Sequence, residues 1–184
     1  MKDLKHTGVL PVIQNDTLRF EFDQSHYLPE QLSILHIVTN GETHTDTSST
    51  KSLSVDRARL PHICEDILHT LRLDEAMLIP RHTWGAIINI AVFDLTDHES
   101  WLAIDAEASL YQNKRDPLEI GPSDFGFIPC LFASLLDHGQ DDSADVNLLT
   151  LGAPIIMDLS HTGNVTITCG NAGMLDSLLE KQLG

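Results

Sequence analysis

Residues 60–71 carry the pattern that most restricts how this chain can fold. Apolar side chains recur there at the spacing of a single helical face. These side chains are Leu60, Ile63, Cys64, Ile67, Leu68 and Leu71. Pro61 suits the first turn of a helix, where a backbone N–H is not needed. The pattern predicts an amphipathic helix, and its apolar side has to be buried against another layer of structure.

Short segments with β-strand character precede this helix. Residues 9–13 and 18–22 flank Asn15 and Asp16, and residues 18–22 alternate between apolar and charged side chains. This arrangement predicts a hairpin with one solvated face. Residues 32–39 are mostly apolar and predict a buried strand.

Three further segments have patterns that fit more than one local structure or a central hairpin. Residues 43–52 are rich in Thr and Ser, which fits either a solvated edge strand or a loop. Residues 84–95 are apolar and β-branched, so we expect a strand there. Residues 101–112 alternate and are expected to form the second strand of a central hairpin, although a helix is also compatible with them.

The last third of the chain predicts two helices separated by strands. A second helix is expected from Pro129 and should end at Gly139, which favours a left-handed cap. Three short strands are expected at residues 146–151, 154–159 and 165–169. Asn171 is the expected N-cap of a closing helix.

This order of elements predicts an α+β fold. We expect an antiparallel sheet of about five to seven strands, with about three helices packed mainly on one face. No repeat or linker divides residues 1–184, so we expect one globular domain.

Acidic residues are concentrated in the second half of the chain. Residues 116–180 contain ten Asp and Glu residues and no Lys or Arg, and the whole chain has a formal net charge of −16. We expect these carboxylates to face outward as one negative surface, which attracts basic partners and repels nucleic acid and anionic membranes. The predicted contact patch consists of Asp137, Asp141, Asp142 and Asp145.

The cysteines and the first residues predict a cytoplasmic protein. Cys64, Cys130 and Cys169 are widely spaced among apolar neighbours, which is typical of free thiols in a reducing compartment. The N-terminus lacks the apolar run of a secretory signal. The longest apolar run, residues 86–93, is too short to cross a bilayer, so we expect no membrane partner.

Two groups of residues suggest metal binding, and each also has a simpler interpretation. His62, Glu65, Asp66 and His69 share one helical side, but a solvated helix carries polar residues there in any case. Asp94, Asp97 and Glu99, grouped with His98, provide oxygen ligands without the spacing of a calcium loop, and Asp is common in turns. We therefore predict no metal site and no cofactor.

Neither catalytic motifs nor a nucleic-acid-binding surface can be recognised. The sequence lacks G-x-S-x-G, a phosphate-binding loop and a dinucleotide fingerprint. Its close basic pairs are too few to offset the surrounding acid. Trp84 and Trp101 suit a core better than an interface, although aromatic residues can anchor partners.

We therefore expect a non-catalytic acidic binding module that engages a basic protein partner, of inhibitor, immunity or chaperone type. Small acidic α+β proteins that neutralise toxins or act as chaperones of secreted effectors are similar in size, charge and element order. Two alternatives stay open. One is a small metal-dependent hydrolase that uses His62, Asp66 and His69 or the group at residues 94–99. The other is a structural homodimer subunit.

Overall fold

A computed structural model describes residues 8–39, 47, 49–85, 87–93, 110 and 112–183 of the chain. The strands are β1 (Val9–Gln14), β2 (Thr17–Phe22), β3 (Ser33–Val38), β4 (Thr50–Ser54), β5 (Ala76–Pro80), β6 (Leu118–Ile120), β7 (Val146–Thr150), β8 (Ile155–Ser160) and β9 (Asn164–Cys169). The helices are α1 (Leu60–Thr70), α2 (Ile87–Phe93), α3 (Phe127–His138) and α4 (Ala172–Leu183). The predicted α+β fold is confirmed.

Within the described residues, the main sheet contains seven strands in the order β4-β3-β9-β8-β7-β5-β6. Every neighbouring pair is antiparallel except β3 and β4, which are parallel. Apolar side chains of all four helices join one face of this sheet in the larger core. The predicted sheet of five to seven strands with helices on one face is therefore confirmed, although one strand pair is parallel and the described residues form four helices where about three were expected.

The β1-β2 hairpin covers part of the opposite face. Phe20 and Phe22 pack there with Met77 and Leu149 of the main sheet. Asn15 and Asp16 occupy the two turn positions with φ of 51° and 61°, which are the left-handed values that a two-residue hairpin turn requires. The predicted N-terminal hairpin is confirmed.

The strand predicted at residues 84–95 is wrong, because residues 87–93 form helix α2. Ile87, Ile88, Ala91 and Val92 are buried and lie on one helical side, which packs against α3. The strand preference of β-branched residues depends on context. Here, burial of side chains at helical spacing outweighs that preference. The second segment of that predicted hairpin, residues 101–112, lies largely outside the described residues, at 101–109 and 111.

Two strands of the main sheet were not expected from the sequence. β5 is buried at all five positions and lies between β7 and β6. A five-residue apolar run has no alternation that would identify it as a strand. β6 is only three residues long.

Other predictions agree with the structure in most details. The helix at residues 60–71, the strand at 32–39 and the three late strands are confirmed. Within residues 43–52, positions 50–52 belong to edge strand β4, whereas residues 43–46 and 48 lie outside the described part of the chain. Asn171 caps α4, since its side-chain oxygen accepts a hydrogen bond from the Gly173 N–H at 3.0 Å.

The left-handed cap predicted at Gly139 is wrong. Gly139 has φ of −66° and ψ of 129°, which is an extended conformation. A Cβ at this position would lie 2.6 Å from His161 Cβ and 2.6 Å from the Leu135 carbonyl oxygen. Close packing around this position therefore favours glycine, which has no Cβ.

Among the described residues, no helix combines the length and apolar character needed to cross a membrane.

Candidate functional site

Helix α3 leads into an acidic turn, which we define as residues 137–145. A short 3-10 helix occupies Asp142–Ala144, and Asp141 caps it by accepting a hydrogen bond from the Ser143 backbone N–H at 2.9 Å. The Ser143 hydroxyl also donates to this carboxylate. These bonds lower the pKa of Asp141, and nearby His161 and His82 lower it further. Asp141 is therefore stabilised as an exposed carboxylate.

Asp145 attaches the acidic turn to the main sheet. Its carboxylate is buried and accepts hydrogen bonds from Arg81 Nη1 at 2.9 Å and from the His161 backbone N–H at 2.9 Å. His161 Nδ1 lies 2.8 Å from the same carboxylate. Because an ionised carboxylate can only accept, Nδ1 donates in this contact. The end of the turn is thus held by a buried, charge-assisted network.

Arg81 connects Asp145 to a second carboxylate, Asp158 on β8. Arg81 Nη2 donates to Asp158 Oδ1 at 3.3 Å. Burial raises the pKa of Asp158, and the Arg81 guanidinium opposes that rise. Asn147 faces Asp158 across β7 and β8, and its amide donates to the Leu18 carbonyl at 3.2 Å. This cluster therefore links the acidic turn, the sheet and the hairpin.

Two polar atoms of this cluster remain without a hydrogen-bond partner within the described part of the chain. They are Arg81 Nε and Asn147 Oδ1, and both are buried. Arg81 Nε is a donor and Asn147 Oδ1 is an acceptor, so the two atoms have complementary hydrogen-bonding character.

The four residues of the predicted contact patch do not share one environment. Asp137, Asp141 and Asp142 are exposed, whereas Asp145 is 2% exposed. The carboxylate of Asp145 is directed to Arg81 and His161, so it cannot belong to a surface patch. Its role in the acidic turn is structural, and the exposed part of the patch consists of the other three residues.

The carboxylates of residues 116–180 also do not form one continuous surface, contrary to expectation. Glu119 lies on β6 at one edge of the main sheet, whereas Asp176 lies on α4, which packs on β3 and β9 towards the other edge. Asp145 and Asp158 point towards Arg81. The acidic turn is therefore a separate local concentration of charge.

A groove runs beside this turn between α1 and α3, with a volume of about 650 Å³. Its apolar lining consists of Ala58, Pro61, Pro129, Ala133 and Leu136, and its polar lining includes Arg57, His62, Cys130 and Asp137. Arg57 Nη2 donates to the Leu136 carbonyl at 3.0 Å and lies 3.9 Å from Asp137 Oδ1. Asp137 therefore belongs both to the groove and to the acidic turn.

The polar side of α1 has the contacts of a solvated helix. Glu65 lies 3.7 Å from His62 and 3.7 Å from His69, and both histidines are exposed. The His69 ring also packs edge-on against Phe125 at 5.4 Å between ring centroids. Within the described ranges, no three His, Cys, Asp or Glu side chains are grouped so that they could hold a metal ion.

Asp94, Asp97, His98 and Glu99 lie outside the described residues, as does Trp101. Trp84 is 3% exposed, and its indole N–H donates to the Asp116 carbonyl at 2.9 Å. Trp84 is therefore a core residue.

Sequence patterns missed the residues that attach the acidic turn. Arg81 lies 64 positions and His161 lies 16 positions from Asp145. No local spacing links residues so far apart in the chain. The proximity of Asp145 to the apolar strand that begins at Val146 was the available signal that its side chain is buried.

No known protein family matches this chain, and no curated protein or solved structure is significantly similar to it. A functional assignment therefore rests on the geometry of the described surfaces.

Proposed function

We propose that this chain is a non-catalytic binding module that engages a basic protein partner. The contact surface would combine Asp137, Asp141 and Asp142 with the groove between α1 and α3. The observation that carries this proposal is that exposed Asp137 lines an open, largely apolar groove and begins the acidic turn that bears exposed Asp141 and Asp142. A partner segment with basic and apolar side chains matches both features.

The attachment of the acidic turn supports this role. Buried Asp145 holds the end of the turn, and Asp141 caps the short helix inside it. A surface that is already ordered loses less conformational entropy when a partner binds. The carboxylates would increase the association rate, and the groove would supply apolar contact area.

Salt-dependent capture tests the electrostatic part of the proposal. The immobilised chain is incubated with a cytosolic extract at roughly 0.05 M and 0.5 M salt, since screening is much stronger at the higher concentration. The test variant combines D137N, D141N and D142N. Proteins that bind the wild type at low salt should be lost at high salt, and the triple variant should lose them at both concentrations.

A charge-matched control separates the acidic turn from net charge alone. The control variant combines E21Q, E30Q and D74N, which removes the same number of exposed carboxylates from other elements. It should retain the partners of the wild type. The proposal is wrong if the triple variant of the acidic turn captures the same proteins as the wild type at each salt concentration.

The groove has its own test. A133W introduces a large side chain into the groove lining without changing the net charge. For a partner identified by the capture experiment, this variant should raise the Kd by about tenfold or more, a loss typical of central interface positions. An unchanged Kd would show that the partner does not occupy the groove.

We propose a cytoplasmic location for this activity. The support is that Cys64, Cys130 and Cys169, all within the described residues, form no disulfide, which suits a reducing compartment. Fluorescence microscopy of the tagged full chain in its native cell checks this location, and a signal confined to a membrane or a secreted fraction would contradict it.

A homodimer is the second candidate, because β4 is an edge strand of the main sheet and pairs only with β3 in the described part of the chain. A second copy could extend the sheet through this edge. Light scattering should then give twice the chain mass, and S52P on β4 should restore the monomer. A monomeric mass for the wild type at about 100 μM would exclude this assembly as a stable dimer.

A further inference from the structure

An apolar cavity of about 240 Å³ lies between the main sheet and two of its helices. Leu35 and Ile37 of β3, Ile63 and Ile67 of α1, and Leu178 and Leu179 of α4 line it. Several of these side chains are buried in the larger core. The cavity therefore penetrates between the layers of the fold and shares no lining residue with the groove between α1 and α3.

Polar residues at the end of β4 and in the segment between β4 and α1 line the same cavity. They are Ser54, Asp56 and Arg59. Arg59 is exposed and is the N-cap of α1, where its side chain makes no capping hydrogen bond. Within the described residues, no ion pair occupies its guanidinium group. The cavity therefore has an apolar interior and, at its opening, the exposed guanidinium group of Arg59.

The chemistry of this opening favours an anionic head group. A guanidinium presents a planar set of donors that matches a carboxylate. The amino-terminal end of α1 adds partial positive charge nearby. Asp56 has the opposite effect, because its negative charge repels an anion at the same opening.

The volume of the cavity limits the size of the apolar chain that a ligand can insert into it. A water-sized group occupies about 30 Å³, so the cavity accommodates about eight such groups. This is smaller than the usual pocket for a drug-sized ligand, which starts at about 300 Å³. An unbranched chain of roughly six to eight carbons has a suitable size.

We propose that this cavity binds a medium-chain aliphatic carboxylate, with the chain inserted among Ile37, Ile67 and Leu178 and the carboxylate at Arg59. This site is independent of the acidic turn, so it and the proposed protein contact can fail separately.

Titration of the purified full chain with octanoate tests the proposal, and octanol serves as the uncharged probe. Isothermal calorimetry gives the affinity, and backbone amide NMR shifts give the location. Octanoate should bind saturably and more tightly than octanol, with shifts concentrated in β3, α1 and α4. No saturable binding of octanoate at millimolar concentration would overturn the proposal.

Charge variants at the opening test the position of the head group. R59Q should weaken octanoate binding by about three- to tenfold, within the range of charge-assisted pairs. D56N should strengthen it, because a repelling charge is removed. The matched control R72Q changes an exposed arginine outside the cavity lining and should leave the affinity unchanged. If R59Q and R72Q have equal effects, the carboxylate does not lie at Arg59.

Cavity-filling variants test the position of the chain. I67F and L179F each place a larger side chain in the lining, and each should abolish octanoate binding. Leu179 is only partly buried, so L179F provides the test if I67F unfolds the protein. Unchanged octanoate affinity in folded L179F would contradict insertion of the chain into this cavity.

Discussion

Arg81 and Asp145 form a buried ion pair with 2.9 Å between Nη1 and Oδ2, and this pair joins the acidic turn to the end of β5. The same two residues are also connected through the backbone, because the Arg81 N–H donates to the Asp145 carbonyl at 2.9 Å. Two contacts of different kinds therefore fix one end of the turn. Removal of the Asp145 carboxylate would leave Arg81 with Asp158 at 3.3 Å, and removal of the Arg81 charge would leave Asp145 with its two contacts from His161.

Substitution D145A should lower the free energy of unfolding by about 3 kcal/mol, the low end for a broken buried pair, because the His161 N–H loses its acceptor while Arg81 keeps Asp158. Urea denaturation measures this change. The control D142A removes an exposed carboxylate three positions earlier and should change stability by no more than about 0.5 kcal/mol. Equal losses in both variants would show that the buried network does not stabilise the fold.

Substitution G139A should destabilise the chain by about 1–3 kcal/mol, because the added methyl group would overlap the Leu135 carbonyl and the side chain of His161. G126A is a matched control, since a Cβ there meets no atom within 4 Å. This control should be neutral or stabilising by up to about 1 kcal/mol. Thermal denaturation of both variants makes the comparison, and a neutral G139A would contradict the tight packing.

Substitution S143A should lower the Tm in a pH-dependent way. The folded state lowers the pKa of Asp141, so the contribution of this carboxylate is present above its ordinary pKa. That contribution is lost as the pH falls through the lowered pKa of the folded state. The Tm deficit of S143A should therefore be larger at pH 7 than at the lowest pH at which the protein remains folded.

The control for this pH series is S177A. The Ser177 hydroxyl donates to the Gly173 carbonyl, so this bond involves no carboxylate. The Tm deficit of S177A should not follow the titration of Asp141. A pH-independent deficit for S143A would contradict the capping contact.

The three cysteines should differ in reactivity towards a thiol reagent. Burial raises the pKa of Cys64 and the pKa of Cys169 to about 12, so very little thiolate forms at pH 8. Cys130 is only partly buried. One thiol should react rapidly in the native protein and three in denaturant, and C130S should remove the rapid phase. Rapid reaction of two thiols in native C130S would contradict the buried environments.

Local patterns were sufficient for several elements and insufficient for others. The spacing from Leu60 to Leu71 identified α1, and the turn at Asn15 and Asp16 identified the hairpin. These signals depend on residues close together in the chain. The strand at Ala76–Pro80 had no alternation, because all five of its residues are buried.

The helix at Ile87–Phe93 shows a second limit of prediction from local sequence patterns. Its β-branched residues favour a strand by intrinsic preference, but the side that bears Ile88, Ala91 and Val92 packs against α3. The partner surface becomes available only after the chain has folded. Tertiary packing therefore determined which of two local structures was formed.

The sequence by itself determined the periodic helices and strands, the hairpin turn and the concentration of acid in the second half of the chain. Only the tertiary structure decided that Asp145 is buried while Asp137, Asp141 and Asp142 are exposed. The reason is that periodicity depends on neighbours along the chain, whereas the environment of a carboxylate depends on groups brought to it from distant elements. For Asp145 those groups are Arg81 and His161.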